Sequence, residues 1–594
     1  MRWAAIVLLL VAGCDAFQTG TKGGSGQNND TRLSPLLRRM QAAYPDLESG
    51  RFVSLADFES PGHVGLFRTV GPDGSETDRP QPSLSILRSR NETGAGSLKA
   101  RFNGPDDIML FDGKHSQQLA LIRDWRKYGL LLMSVYGPPD GTAVEFTVQS
   151  GDKAPIRWSR MFRVTPGWNL FRLDTATIGD TIDLADVRVL AWRIPQSPGA
   201  VELYFDDIIL ADNTRHLVGE NTGPQELYVF SRGQRIHVGV RERFELAFAD
   251  GLIVSWREPG GENLADIGGL GPWPVPLPAD WHSRGEAPVA YDDPALFAPW
   301  GATVAATQRL IEATAFRVVL EGRWRFAAPG TPPPAGATDD DTRPGHTWQY
   351  VIYPSGQMYV RVVSRAGQAG WSGPRVGYVI GLDGRRDFRC VQPPPADARG
   401  EPPTFVLAAR SAPKQSDLLW TWPRTSALGH QRELTSADER RLAVIAGDLE
   451  AADVVDTVHL LRLWPTDIDA APEGASFAAD YQNPARLAPT AGNVMTDAPG
   501  DLDHDGYNES EGCYELSLAD GVLHFDFDPG PHLRFDPVFR VHEAASRRCW
   551  VYARGRVASD TGRDAGDNLL FRLAPVVSAP TSVEVHTRAP GAEP

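Results

Sequence analysis

Short stretches of alternating apolar and polar residues, each closed by a turn cluster, recur along most of this 594-residue chain. From about Gly50 they run at 52–59, 97–102, 128–136, 143–148 and 157–164, with Gly137-Pro138-Pro139-Asp140-Gly141 as one of the turn clusters. A period of two sends successive side chains to opposite faces, so each stretch reads as a strand with one buried face. No long helical periodicity separates these strands, which leaves antiparallel pairing into a sandwich rather than a parallel sheet with helical crossovers. The pattern resumes at 226–230, 235–240, 243–248, 252–256 and 316–326, and residues 346–362 read as a hairpin turning at Pro354-Ser355-Gly356. The expected fold is all-β and multidomain, with an N-terminal sandwich, larger sandwich regions after it and few short helices.

Two helices are expected. Ser34-Pro35 opens one that ends near Tyr44, with Leu36, Leu37 and Met40 at helical spacing. Ser436-Ala437-Asp438-Glu439 reads as a capping box starting another that runs to about Ala446. Residues 263–274, rich in Gly, Pro and Trp, read as an irregular loop rather than a strand. Polar, turn-rich residues 213–224 mark a boundary. The expected divisions are 1–13, 14–45, 46–212, 225–490 and 491–594.

Arg2, the apolar run 4–10 and then Val11-Ala12-Gly13-Cys14 form an export signal too short to span a membrane. Val11-Ala12-Gly13-Cys14 resembles the lipobox of bacterial lipoproteins. That resemblance implies lipidation of Cys14, cleavage just before it and a membrane-anchored protein of the bacterial cell envelope, lifted off by the polar tether that follows. In an oxidising compartment the three remaining cysteines need explaining. Cys513 and Cys549 both lie in the C-terminal region and are the expected disulfide, with Cys390 left as a buried thiol. The formal net charge of −16 argues against nucleic acid as the main partner.

The segments DFE at 57–59, GWNLFRLD at 167–174, IDLADVRVL at 182–190 and LYFDDIIL at 203–210 resemble the galactose-binding-like jelly rolls, among them many carbohydrate-binding modules. The resemblance covers about residues 46–212 and implies polysaccharide or another glycan as partner. It also implies a structural calcium between an acidic residue of the first strand and one of the last, here Glu59 and Asp207. Sugar-contacting residues cannot be carried over from such modules. Trp125, Tyr128, Trp158 and Trp273 are glycan-binding candidates because exposed aromatic rings stack on sugars. The middle region resembles, more loosely, the β-sandwiches of polysaccharide lyases and mutarotase-like enzymes.

Asp501, Asp503 and Asp505 alternate and are followed by Gly506, which points three carboxylates at one cation; Tyr507 can add its carbonyl. The run resembles the calcium loops of EF-hand and dockerin repeats but has Gly512 at position twelve, so Glu509 or Glu511 must close the site. Calcium in a structural role is the expected cofactor.

No nucleophile elbow, zinc motif, phosphate loop or nucleotide fingerprint occurs. A lyase needs a carboxylate neutraliser and a base, roles that Arg, His and Tyr fill. His237, Arg241, His346, Tyr350, Tyr353, Tyr359 and Arg361 are the candidates, all on expected strands. A glycosidase needs two facing carboxylates, and nothing pairs Glu245, Glu312 and Glu321. Three readings stay open: a glycan-binding lipoprotein, a polysaccharide lyase or hydrolase, and a structural envelope protein.

Overall fold

A computed structural model describes residues 40, 42–44, 47, 51–70, 83–112 and 119; 122–258 apart from 153, 197–198, 220–222 and 224; the strands between 272 and 464 together with 314–317, 353–356 and 422–423; and 470–587 apart from 545–547 and 559. Cys14, with the export signal and tether, lies outside the described residues. The fold is all-β and divides into two compact units, Met1–Asn213 and Thr214–Pro594.

The first unit has eleven strands: β1 (Phe52–Ala56), β2 (Phe67–Val70), β3 (Ser83–Leu87), β4 (Ser97–Phe102), β5 (Ile108–Asp112), β6 (Leu130–Gly137), β7 (Thr142–Ser150), β8 (Ile156–Val164), β9 (Gly167–Asp174), β10 (Val187–Arg193) and β11 (Val201–Ala211). They form two antiparallel sheets, ordered β3-β4-β11-β6-β9 with β1 on β11, and β2-β5-β10-β7-β8. In β7 the alternation is plain: Val144, Phe146 and Val148 are buried while Glu145, Thr147 and Gln149 turn outward. The core between the sheets is largely aromatic, with Trp192 packed on Phe67, Phe146 and Phe205. Met40 and Ala42–Ala43 are helical, and Met40, Tyr44 and Leu47 pack on Leu130, Leu132 and Ile209 of the first sheet.

Three glycan candidates turn out to be core. Trp125 is fully buried and donates its indole N–H to the Ile122 carbonyl at 3.0 Å. Tyr128 and Trp158 belong to the same core cluster, Trp158 edge-on to Phe146. None presents a ring to solvent for stacking.

The second unit is layered on one large sheet. Strands β12 (Arg215–Val218), β13 (Leu227–Arg232), β14 (Arg235–Val240), β15 (Phe244–Ala249) and β16 (Leu252–Arg257) form a meander. Next come β17 (Pro272–Leu277), β18 (Val304–Ala313), β19 (Val318–Phe326), β20 (Gly345–Ile352), β21 (Gln357–Arg365), β22 (Arg375–Gly381), β23 (Phe388–Val391), β24 (Phe405–Arg410), β25 (Asp417–Thr421), β26 (His430–Thr435), β27 (Arg441–Ala446) and β28 (Val454–Trp464). Eight of them make the central sheet, β18-β19-β20-β21-β28-β25-β24-β23. One face, with Val318, Leu320, Trp348 and Tyr350, packs on Leu246, Phe248 and Trp256 of the meander. The other, with Val319, Val351, Tyr353 and Tyr359, packs on Phe477 and Tyr481 of helix α1 (Ala470–Gln482) and on Phe525, Phe539 and Phe571 of the C-terminal strands. Neighbours such as Val318 and Val319 serve opposite cores, as strand pleating requires.

Several expectations are corrected. The division at 490/491 fails because residues on both sides share one core. The capping box of Ser436 does not start a helix: β27 is a strand, paired with β22 and β26. Its β-branched Val444 and Ile445 suit a pleated surface, and two flanking strands satisfy its backbone. Of the Gly/Pro/Trp stretch, residues 272–274 belong to β17, whose Trp273 pairs with Val379; residues 263–271 and the Trp273 side chain lie outside what is described. Cys513 and Cys549 are not joined to one another. Cys513 sits buried beside Glu515, whereas Cys549 faces Arg563, so the two sulfurs have different neighbours. Cys390 lies on β23, its side chain outside what is described. The 346–362 hairpin forms as expected, with the Gly356 N–H donating to the Tyr353 carbonyl at 3.0 Å.

The shared core has a direct consequence. A 214–594 fragment is expected to unfold in one cooperative step, and a 214–490 fragment, its Tyr353–Tyr359 face stripped of cover, to aggregate. Two separate denaturant transitions in the longer fragment would contradict a single core.

Candidate functional site

The outward face of the β2-β5-β10-β7-β8 sheet carries a trough. Register places Arg68, Leu110, Ala191, Thr147 and Ser159 side by side across five strands. On one side runs the row Asp112, Val189, Gln149 and Arg157; on the other, Ile108, Arg193, Glu145 and Met161. The small side chains of Ala191, Thr147 and Ser159 leave the middle row low between long charged ones. The resulting cleft encloses about 510 Å³, and Arg123, Asp152 and Arg188 complete its rim. At about 4.8 Å per strand, five strands make a trough about 19 Å long.

The rim is held by ion pairs. Arg68 Nε meets Asp112 Oδ2 at 2.7 Å. Arg193 Nε donates to Glu145 Oε2 at 2.8 Å. Arg188 holds Asp186 at 2.7 Å and reaches Asp152 at 3.5 Å. Arg157 is exposed and donates only to the Gln149 side-chain oxygen, at 3.1 Å. Arg123 is fixed where its carbonyl accepts the Val187 N–H, and its Nε is buried without a hydrogen-bond partner. No aromatic side chain lines this cleft among the described residues. Sequence alternation held the signal for the three rows, whose positions have the parity opposite to core neighbours such as Phe111, Phe146, Trp158 and Trp192; Arg188 departs from it at a register shift in β10.

Glu59 and Asp207 do not meet in a carboxylate cage. Glu59 Oε1 accepts the Ala95 N–H at 2.7 Å. Asp207 Oδ2 accepts hydroxyls from Tyr44 at 2.6 Å and Thr93 at 2.5 Å, and its Oδ1 is buried without a partner. Asp206 Oδ2 accepts the N–H groups of Glu92 and Thr93 at 2.8 and 3.1 Å. Burial pushes both carboxyls above the ordinary aspartate range, and the charge of Asp207 pushes Asp206 further. Among the described residues no three acidic groups gather around Asp207.

The second acidic motif does gather. Carboxylate oxygens of Asp501, Asp503 and Glu509 lie within 4.8 Å of one another. Gly506 has φ +90°, and Asp501 Oδ2 accepts its N–H at 2.9 Å. Asp505 Oδ1 instead accepts the Tyr507 N–H at 2.8 Å, and the Tyr507 ring turns into the core. Burial, followed by the charges of Asp503 and Asp501, pushes Glu509 up to about 8. Burial also pushes Asp505 up to about 6. Glu511 is not a ligand, because it pairs with Arg317 at 2.6 Å and with Arg540. Gly512 stands at position twelve for a steric reason: with φ +65°, a Cβ there would fall 2.0 Å from the Tyr359 ring.

Behind this loop lies a buried ionic network. Arg317 takes Glu312 with two prongs, at 2.9 and 3.0 Å. Arg540 Nη1 reaches Glu515 Oε1 at 2.9 Å, which also accepts from Asn508 at 2.9 Å, and His542 Nε2 meets Glu515 Oε2 at 2.7 Å. Burial and the nearby Arg317 charge bring Arg540 down to about 10.

The catalytic candidates do not converge. His237 lies on the meander, stacked on Phe230 at 4.4 Å and near Glu245. His346 is fully buried against Ser364. Tyr350 faces the meander core; Tyr353 and Tyr359 face the opposite core, and Tyr353 donates to the Glu511 carbonyl at 2.8 Å. Arg361 is paired with Asp456 on β28 at 3.0 Å, and exposed Arg241 lies on the β14–β15 turn. The cavity beside Tyr359, lined also by Asp480 and Asp536, holds about 20 Å³, room for about one water. It cannot admit a sugar.

No family model and no curated protein matches the sequence. Among solved structures, the chain is similar to the family 11 carbohydrate-binding module from Clostridium thermocellum in complex with a β-1,3-1,4-mixed-linked tetrasaccharide, at 12% identity over 27% of this chain and 95% of that one, with TM-score 0.22. It is similar to a family 30 module of a Clostridium thermocellum cellulosomal cellulase, at 14% identity over 29% and 99%, TM-score 0.21. The C-terminal family 22 module of Clostridium thermocellum Xyn10B matches at 13% over 27% and 94%, TM-score 0.20. Likenesses this distant assign no function. By its own topology the first unit is a two-sheet antiparallel sandwich of the jelly-roll type with an open cleft on one sheet.

The Asp206–Asp207 pair sets a pH dependence. Above the ordinary value of 3.8 the unfolded chain releases protons that the folded chain retains, so stability falls as pH rises from there toward the raised values. Asp206→Asn is expected to flatten that fall. Urea midpoints of both chains in chelator, from pH 4 upward, check it; equal slopes would count against it.

Proposed function

We propose that the first unit is a glycan-binding module whose ligand lies in the trough across β2-β5-β10-β7-β8. The observation behind this reading is the trough itself: about 510 Å³, open, crossing five strands, with Arg, Asp, Glu, Gln, Thr and Ser set among aliphatic residues such as Leu110 and Val189. A polyhydroxylated chain needs donors and acceptors in alternation, and rigid strands hold them in place. The ion pairs fix the long rim side chains in advance, so little side-chain entropy is lost on binding. Among the described residues the catalytic candidates of the second unit do not converge, and binding through the first unit is the reading proposed for the chain.

Ala191 sits at the centre of the trough floor, flanked by Leu110 and Thr147. Ala191→Trp is expected to fill it and weaken binding at least about tenfold, a loss of about 1.4 kcal/mol, with the melting temperature unchanged. Affinity electrophoresis of the purified chain against a panel of neutral and charged polysaccharides tests this. Retardation by none of them would sink the reading.

A calcium ion is the group that Asp501, Asp503 and Glu509 would hold. The donors fit: all are carboxylate oxygens, suited to a hard cation, and two of the three residues are buried, where negative charge is costly and a cation would compensate it. There it would staple the loop to the strands behind it. Calcium at about a hundredfold its Kd is expected to stabilise the second unit by about 2.7 kcal/mol. Exposed Asp503→Ala should abolish that gain without unfolding the chain. Calorimetric melting of both chains, with calcium and with chelator, decides; an equal gain would remove calcium from this loop.

A further inference from the structure

The cleft of the first unit is electrically unlike the molecule around it. Five guanidinium groups line it, from Arg68, Arg123, Arg157, Arg188 and Arg193, against three carboxylates, from Asp112, Glu145 and Asp152. The difference is +2, on a chain of formal net charge −16. The three carboxylates are each engaged by an arginine: Asp112 by Arg68, Glu145 by Arg193 and Asp152 by Arg188. Arg123 and Arg157 have no carboxylate partner among the described residues, and the buried Nε of Arg123 has no acceptor at all. A buried donor left unsatisfied is costly, and an anion held by the guanidinium offsets that cost. Guanidinium groups match carboxylate and sulfate oxygens in geometry as well as charge.

Resting on the glycan reading above, we infer that the ligand of this cleft is an anionic polysaccharide, its carboxylate or sulfate groups taken by Arg123 and Arg157. The hydroxyls between its charged groups meet Gln149, Thr147 and Ser159. A neutral glycan would leave the positive excess uncompensated and would find no aromatic ring on which to stack. Nucleic acid fits less well: the cleft has no platform for bases, and the chain's net negative charge opposes a polyphosphate.

Matched pairs of ligands test this on the full chain: polygalacturonate against its carboxyl-reduced form, and dextran sulfate against dextran, with single-stranded polyuridylate as a third class. The charged member of at least one pair is expected to bind about tenfold or more tightly than its neutral partner, in a manner weakened by salt. The pair that discriminates identifies carboxylate or sulfate as the recognised group. Arg157→Gln is expected to lose about tenfold, and Arg157→Lys, which keeps the charge, to lose less. Arg157 is exposed, so the variants keep the wild-type melting temperature. Equal binding of both members of each pair, unchanged in Arg157→Gln, would overturn the inference and leave the glycan reading standing. Polyuridylate binding more tightly than any glycan would overturn it as well. Silence towards every glycan, charged or neutral, would remove the glycan reading itself.

Discussion

A sheet apolar on both faces must be covered on both, and the second unit is built around that constraint. Val318, Leu320 and Trp348 send one face of the eight-stranded sheet to the meander, while Val319, Val351 and Tyr359 send the other to helix α1 and the C-terminal strands. Neither cover is optional, because either bare face would leave several large side chains in water at about 25 cal/mol per Å² of apolar surface. The buried network of Arg317, Arg540, Glu312, Glu511 and Glu515 runs across the second interface. Buried ion pairs add little net stability compared with apolar contacts, but losing one partner strands a charge. The network therefore fixes how the C-terminal strands register on the sheet. Through Asn508 and Ser510 it also fixes where the acidic loop sits.

The first unit solves a simpler problem. Its two sheets bury their aromatic faces on one another, and the outer face of the β2-β5-β10-β7-β8 sheet mixes charged and polar residues with small and aliphatic ones such as Leu110, Val189 and Ala191. The trough arises there as a by-product of pleating: each strand that delivers Phe146 or Trp192 inward must deliver Glu145, Arg193 or Thr147 outward. Placing a ligand site on paired strands rather than on loops gives it rigidity at no extra cost in ordering.

Much of the architecture was legible in the chain because period two is a local property. The alternation at 143–148 and the hairpin at 346–362 fixed strands, faces and the all-β class. The acidic loop was legible too, since the spacing of Asp501, Asp503 and Gly506 encodes its turn. Local signals failed where distant partners decided. The capping box at Ser436 lost to two neighbouring strands that paired with β27. Trp125, Tyr128 and Trp158 were read as rings for sugars, but composition cannot say which side of a sheet faces solvent. Cys513 and Cys549, near in sequence, point to different neighbours.

By itself, then, the sequence determined the pleat of the N-terminal strands and of the 346–362 hairpin and the turn of the acidic loop, because each depends on residues a few positions apart. Tertiary structure alone decided that Glu511 serves Arg317 and Arg540 rather than a cation, that the C-terminal strands share a core with the central sheet, and that five arginines from four separate segments line one trough. Those facts depend on strand order and register across long sequence separations. No local pattern of side chains carries that information.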